Sequence, residues 1–453
     1  MATGAEGTPP LCTRCKEHDG VLDLRSETVC RTCFTSYVAS KAIKRLEVLQ
    51  RETRSSRSSS GPQRYLLALS RGPSSTALLH ILSENLRRHR ERNQRAKFEM
   101  VVAFVDVDID STDANTAKDR RTPETTISDP SSVSALLNKT SITEADKPAE
   151  NPPSSHLPKS DQPLTTDPFA AHFPDITIQT IPLSSILSSP NIDWQPLPAQ
   201  DTTLSPPKRL ADLFTRLPTP SARADVSRLL TRHALLAAAA THNCPVVLLG
   251  YNTTALAELT LSEAAKGRGF GIPWFVNDGA VPAVEHKKED IFIYSPLREI
   301  LRKEVLLYLS VAESAAGPLL DLFPDRGGGG PLGAVVSHRD LSLDDVVARY
   351  FVDVEASYPS VVANVVRTTG KLSRTAPVGL DAAAGIAKGT GTGAGGRLCG
   401  LCGVALDPLG DERWKGELGE ADTGTVGAAD GDRGRLDVRQ SRLCYGCERS
   451  VKG

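Results

Sequence analysis

One stretch limits the folds open to this chain: Arg64 to Leu79, read as Arg-Tyr-Leu-Leu-Ala-Leu-Ser-Arg-Gly-Pro-Ser-Ser-Thr-Ala-Leu-Leu. Tyr65 to Leu69 is a short apolar run, right for a buried strand. Ser70 to Ser75 is small, polar and turn-forming. From Thr76 onward, Leu78, Leu79, Ile81, Leu82 and Leu86 recur at helical spacing. The basic residues Arg87 to Lys97 follow, then a second apolar run, Met100 to Val105. Strand, helix and strand in that order make a βαβ unit and imply a parallel sheet. Loops at the carboxyl ends of such strands are where ligands bind. The free backbone N–H groups at the head of the helix make the Ser70–Ser75 turn an anion seat. The same small residues also suit an ordinary strand-to-helix connection.

Later segments extend the pattern. Ile176 to Ile181 alternates like a strand, and Pro220 to His242 reads as a long helix capped by Ser221. Pro245 to Leu249 is a buried strand ending in the loop Gly250-Tyr-Asn-Thr-Thr254. Helices are expected over Ala255 to Lys266, Pro296 to Leu309, and Leu341 to Leu372 with a break near Pro359. A further strand is expected at Glu289 to Tyr294. Between Ile109 and His172, Pro, Ser, Thr and Asp dominate, a composition that buries too little surface to offset ordering entropy. A Ser/Pro-rich loop runs to Lys208, and Ala376 to Arg397 reads as a flexible linker.

The cysteines give the second constraint. Eight of the nine form CxxC pairs: Cys12/Cys15, Cys30/Cys33, Cys399/Cys402 and Cys444/Cys447. A CxxC knuckle puts two thiolates on one turn, and two knuckles complete a tetrahedral four-cysteine zinc site. Such closed sites are structural: they fold segments too small for a core of their own. Cys244 stands alone and reads as buried core. Met1 to Pro10 shows no secretory signal, so reduced thiols and a cytoplasmic location are expected.

The expected organisation is a zinc-binding module at 1–36, a helix and basic linker at 37–63, and an α/β domain at 64–375. That domain carries a disordered insertion at 109–172. A linker at 376–397 leads to a second zinc-binding module at 398–453. With 53 Lys+Arg against 54 Asp+Glu, net charge does not advertise a nucleic-acid partner. Gly267-Arg-Gly269 reads as a loop. Arg298 lies at an expected helix start.

The ordered parts together resemble the PP-loop ATP pyrophosphatase superfamily, in its tRNA 2-thiolation branch. The resemblance implies a Rossmann-like α/β parallel sheet, of the adenine nucleotide alpha hydrolase type, with zinc-ribbon-like CxxC modules at both ends. Active members carry Ser-Gly-Gly-x-Asp-Ser after the first strand. Here Ser70, Gly72 and Ser75 match, Arg71 replaces the first Gly, and Ser74 replaces the Asp. In the second loop, Gly250 and Asn252 remain where active members add a His and two acids. Magnesium on a triphosphate needs anionic oxygens, and proton transfer needs a titratable group. No catalytic residue is therefore expected.

That pattern is similar to the cytoplasmic tRNA 2-thiolation protein 2 family. The resemblance rests on the terminal CxxC sets, Ser74 to Leu79, Leu261 through Gly269, and Ser295-Pro-Leu-Arg-Glu299. It implies a heterodimer with a catalytic PP-loop subunit that supplies the ATP chemistry. The partner would put sulfur on the wobble uridine of the tRNAs for Lys, Glu and Gln. The sulfur would come from a thiocarboxylated ubiquitin-related modifier. With tRNA as the substrate so implied, Arg268 is offered as a tRNA contact, and Arg298 suits tRNA phosphate, a subunit contact or an ion pair equally. An adenylating sulfurtransferase in its own right, and a zinc-dependent scaffold without RNA, are the alternative readings. No membrane span is expected.

Overall fold

The computed structural model describes residues 10–53, 62–94, 96–107, 167–198, 201–281, 290–323, 341–374, 398–406 and 443–452. The 376–397 linker, residues 109–166 of the expected insertion, and the polar stretch between the last two knuckles lie outside the described residues.

A short hairpin, β1 (Leu22–Leu24) and β2 (Glu27–Val29), leads into α1 (Arg31–Thr53). The central sheet comprises β3 (Gln63–Ala68), β4 (Phe98–Asp106), β5 (Ile178–Pro182), β6 (Val246–Leu249), β7 (Gly279–Val281) and β8 (Ile291–Tyr294). Its order is β5-β4-β3-β6-β8-β7. Five of the six strands run parallel, as the βαβ reading requires, and β7 closes one edge antiparallel to β8. The helices between are α2 (Pro73–Glu91), α3 (Pro168–His172), α4 (Pro206–Arg216), α5 (Pro220–Thr241), α6 (Thr253–Ala265) and α7 (Ile272–Val276). After the sheet come α8 (Arg302–Val311), α9 (Leu343–Ser357), α10 (Pro359–Thr369) and α11 (Tyr445–Lys452).

Strand pleating sorts the core into two faces. Tyr65, Leu67, Val102, Leu248 and Tyr294 pack towards Phe34, Leu46, Leu78, Leu82 and Leu309, which belong to α1, α2 and α8. Leu66, Ala103, Val247 and Ile293 pack instead against Ala238 and Ala239 of α5, beside Cys244. Each fully buried Leu contributes about 1.5–3 kcal/mol of transfer free energy. The two cysteine modules divide between these layers. Cys12 and Cys30 join the α1 side, while Cys399, Cys402 and Cys447 join the cluster built on α5, α6, α9 and α10.

Several boundaries differ from the sequence reading. The helix expected from Pro296 begins at Arg302, because Leu297 and Ile300 turn inward and are fully buried. Its first turn is then satisfied from outside: Thr254 Oγ1 accepts the Arg302 N–H, and Glu355 accepts that of Lys303. Thr219, not Ser221, caps α5 by accepting the Ala222 N–H; the Ser221 hydroxyl accepts the Leu343 N–H instead. The expected loop before Lys208 gives way to α4, which starts on Pro206 and buries Leu210, Leu213 and Phe214. Residues 168–172, placed in the insertion, form α3 and bury Phe169.

Candidate functional site

The two loops singled out in sequence meet at the carboxyl ends of β3 and β6. Leu69 continues β3 by donating its N–H to Ala103, and the chain then turns through Ser70–Gly72 into α2. The serine hydroxyls close this turn on itself. Ser75 Oγ donates to the Gly72 carbonyl at 3.0 Å and accepts from the Ser70 N–H at 3.2 Å. Ser70 Oγ lies 3.1 Å from the same hydroxyl. Pro73 sits in the first turn of the helix, so one N–H donor is missing from the seat.

The second loop packs directly onto the first. Asn252 caps α6 by accepting the Ala255 N–H at 2.8 Å, and its Nδ2 donates to Ser74 Oγ at 2.8 Å. A Cβ on Gly250 would lie 2.7 Å from Ser75 Cα. Backbone cannot retreat from such a contact as a flexible side chain can. Gly250→Ala should therefore cost about 1–3 kcal/mol, measured as a lower denaturant midpoint with an unchanged slope.

Arg71 adopts φ +56°, a left-handed conformation uncommon for a residue with a side chain. Its guanidinium lies 4.4 Å from the Phe104 ring centre and 5.3 Å from that of Phe169. It therefore spreads over aromatic faces beside the loop. Sequence reasoning missed both contacts: Phe169 lay in a segment set aside as an insertion, and Phe104 was read only as part of the Met100 to Val105 strand.

Each cysteine set gathers separately. The ligand atoms of Cys12, Cys15, Cys30 and Cys33 lie within 4.8 Å of one another, as do those of Cys399, Cys402, Cys444 and Cys447. Cys15 and Cys30 sulfurs are 3.8 Å apart, and so are those of Cys402 and Cys444. A tetrahedron with zinc–sulfur bonds of about 2.3 Å has edges of roughly 3.8 Å. The thiols therefore fit a metal. Their surroundings set them apart: a hydrogen bond to Cys30, followed by burial, pushes the Cys33 thiol up to about 12. The Glu17 N–H and the His18 ring hold Cys15 down to about 6. Four thiols this close ionise together only around a cation.

Of the two arginines offered as tRNA contacts, one is buried and the other half-buried. Arg268 is 3% exposed and pairs with Asp225 and Glu263. Arg228 and Lys266 complete the cluster, and Lys266 reaches Asp344 at 2.7 Å. Burial opposes ionisation of Asp225, but Arg268, Arg228 and Lys266 outweigh it and hold the carboxyl well below the usual range. Arg298 pairs with Asp278 at 2.9 Å, the ion-pair alternative of its three readings. An acid three residues before Arg228, beside the core residue Val226, was the available signal for this cluster.

The same cluster holds the C-terminal module. Ser450 of α11 donates to Asp225 at 2.8 Å, and Arg268 reaches Ser450 at 3.3 Å. Gly267, at φ +80°, lies so close to Tyr445 that a Cβ would be 2.3 Å from its ring. On the other knuckle, His233 Nε2 donates to the Leu401 carbonyl at 2.9 Å.

A family model described as cytoplasmic tRNA 2-thiolation protein 2 matches residues 342–449, which include the last four cysteines. A curated relative of that name from Phaeosphaeria nodorum is 32% identical over 450 residues, spanning 98% of this chain and 95% of its own. Another of the same name, from Sclerotinia sclerotiorum, is 33% identical and covers 81% of this chain and 84% of its own. The chain belongs to the cytoplasmic tRNA 2-thiolation protein 2 family. Among solved structures, the U34-tRNA thiolase NcsA from Methanococcus maripaludis, with its [4Fe-4S] cluster, aligns at TM-score 0.44 and 14% identity. That alignment covers 87% of this chain and 96% of the other. At that level of likeness, the family's relatives carry the assignment. Among the described residues, no helix is long and apolar enough to cross a membrane.

Proposed function

We propose that this member of the family is the accessory subunit of a heterodimer that 2-thiolates the wobble uridine of cytoplasmic tRNAs for Lys, Glu and Gln. Its partner is a catalytic PP-loop subunit that binds ATP, activates the base carbonyl and takes sulfur from a thiocarboxylated ubiquitin-related modifier. The carrying observation is the direct hydrogen bond from Asn252 to Ser74. Where a phosphate and its metal would need anionic ligands, two neutral side chains satisfy each other. Neither loop contains Asp, Glu or His. The chain's own contribution is then support: it keeps the sheet, the loops and the helices while the partner makes the bond.

Zinc is the metal best suited to the two four-thiolate sites, and each site would be structural because a closed tetrahedron has no open position. Cys12, Cys15, Cys30 and Cys33 would hold one ion, and Cys399, Cys402, Cys444 and Cys447 the other.

ATP–pyrophosphate exchange with the purified chain tests the accessory role. The expected rate is background, and equal to that of a Ser75→Ala variant. Robust exchange that disappears on this substitution would make the chain an adenylating enzyme itself.

A further inference from the structure

We propose that the arginine-rich end of α2, with the neighbouring end of α1, is a surface for the phosphate backbone of RNA. The proposal rests on the tRNA role proposed above and gives that role a location. Residues 87–92 read Arg-Arg-His-Arg-Glu-Arg. Arg87 is engaged with Glu84 and Glu91. Arg88, Arg90 and Arg92 are exposed, and no carboxylate among the described residues pairs with them. A helix C-terminus carries about half a negative charge and attracts a cation. Three free guanidinium groups exceed what that half charge accounts for.

The end of α1 lies against the same edge of the sheet. Thr53 Oγ1, in its last turn, accepts from Gln63 at the start of β3 at 2.8 Å. Glu47 of α1 pairs with Lys97, just before β4, at 3.3 Å. Exposed Lys44 and Arg51 lie one helical turn before and after Glu47. Two helix ends thus bring cations together on an otherwise charge-balanced chain. Arginine predominates, and its planar fork suits phosphate oxygens better than a lysine ammonium does. This edge is opposite the Ser70–Ser75 and Gly250–Asn252 loops, because α2 runs back along the sheet for about 28 Å at 1.5 Å per residue. Contacts there would be to the RNA backbone and not to base edges, affecting affinity across sequences uniformly.

The test is tRNA binding by the full chain, followed by fluorescence anisotropy over a series of salt concentrations. The variant is Arg88→Gln/Arg90→Gln/Arg92→Gln. The control, Arg367→Gln/Lys371→Gln/Lys452→Gln, removes three exposed cations elsewhere. The first should weaken binding about tenfold or more and flatten the log–log salt slope by roughly 2–3, at 0.7–0.9 per phosphate contact. Both should melt as the wild type does, and the control should bind as it does.

Equal affinity and slope for wild type and variant would overturn the proposal, as would a wild-type chain that does not bind tRNA. Polyglutamate competing as well, per charge, as polyuridylate would reassign the surface to an acidic protein and overturn it too. The thiolation role is read separately, from 2-thiouridine in cells lacking the chain. Loss of that base alongside unchanged binding by the variant would remove the surface and leave the role standing.

Discussion

Cys447→Ser should release one of two bound zinc ions and destabilise the whole domain by about 4 kcal/mol or more, the range associated with loss of a structural metal. Cys447 is fully buried within the cluster formed by α5, α6, α9 and α10. Its module is held from two sides, by His233 on the Leu401 carbonyl and by Ser450 on Asp225. Losing the metal should therefore loosen the packing of α5 itself and not merely fray a terminus. The N-terminal set is a separate cluster and should keep its ion. Metal analysis and denaturant unfolding on the same preparation check both halves. A variant that retains two equivalents of zinc, or unfolds at the wild-type midpoint, would be incompatible with this arrangement.

Asp225→Ala is the second large effect, at about 3–5 kcal/mol, the cost of stranding a buried charge. Asp225 is fully buried and faces Arg268, Arg228 and Lys266, so its loss leaves three cations sharing Glu263 and Asp344. Asp225→Leu with Arg268→Met should cost less than Asp225→Ala alone, because a removed pair leaves less uncompensated charge. The pH dependence has a definite sign. The native carboxyl sits below its ordinary value of about 3.9. Its stabilisation is then complete above roughly pH 5 and is lost as pH falls towards the native value. The stability gap between wild type and Asp225→Asn should shrink below about pH 4. A gap that widens on acidification would show that Asp225 is not held ionised.

The parallel sheet was legible because its strands are short apolar runs with clear turn residues between them. Tyr65–Leu69, Met100–Val105 and Pro245–Leu249 all coincide with observed strands to within two residues at either end. The β7 edge was not legible: three residues, Gly279–Val281, carry no period of their own. At Pro296–Ile300, helix-forming residues instead make turns, because burying Leu297 and Ile300 outweighs local propensity.

Charge was the least readable signal. An arginine in a Gly-rich loop looks alike whether it meets RNA or, like Arg268, a carboxylate 43 residues away on another helix. The cysteine spacing could be read because two thiols on one turn are a local fact. That the two sets join different core clusters could not be read, since only the fold brings each set to its neighbours. The loop residues were named correctly as a pair of loops, yet the Asn252–Ser74 bond spans 178 residues and only the fold supplies it.

The accessory role is tested most directly by the 2-thiouridine content of tRNA, measured by mass spectrometry in cells lacking this chain. Such cells would be complemented with the wild-type chain or with Ser74→Ala. The base should vanish without the chain and return to the same level with either version. A Ser74→Ala chain that folds normally yet fails to restore it, or 2-thiouridine that persists in the cells lacking the chain, would contradict the role.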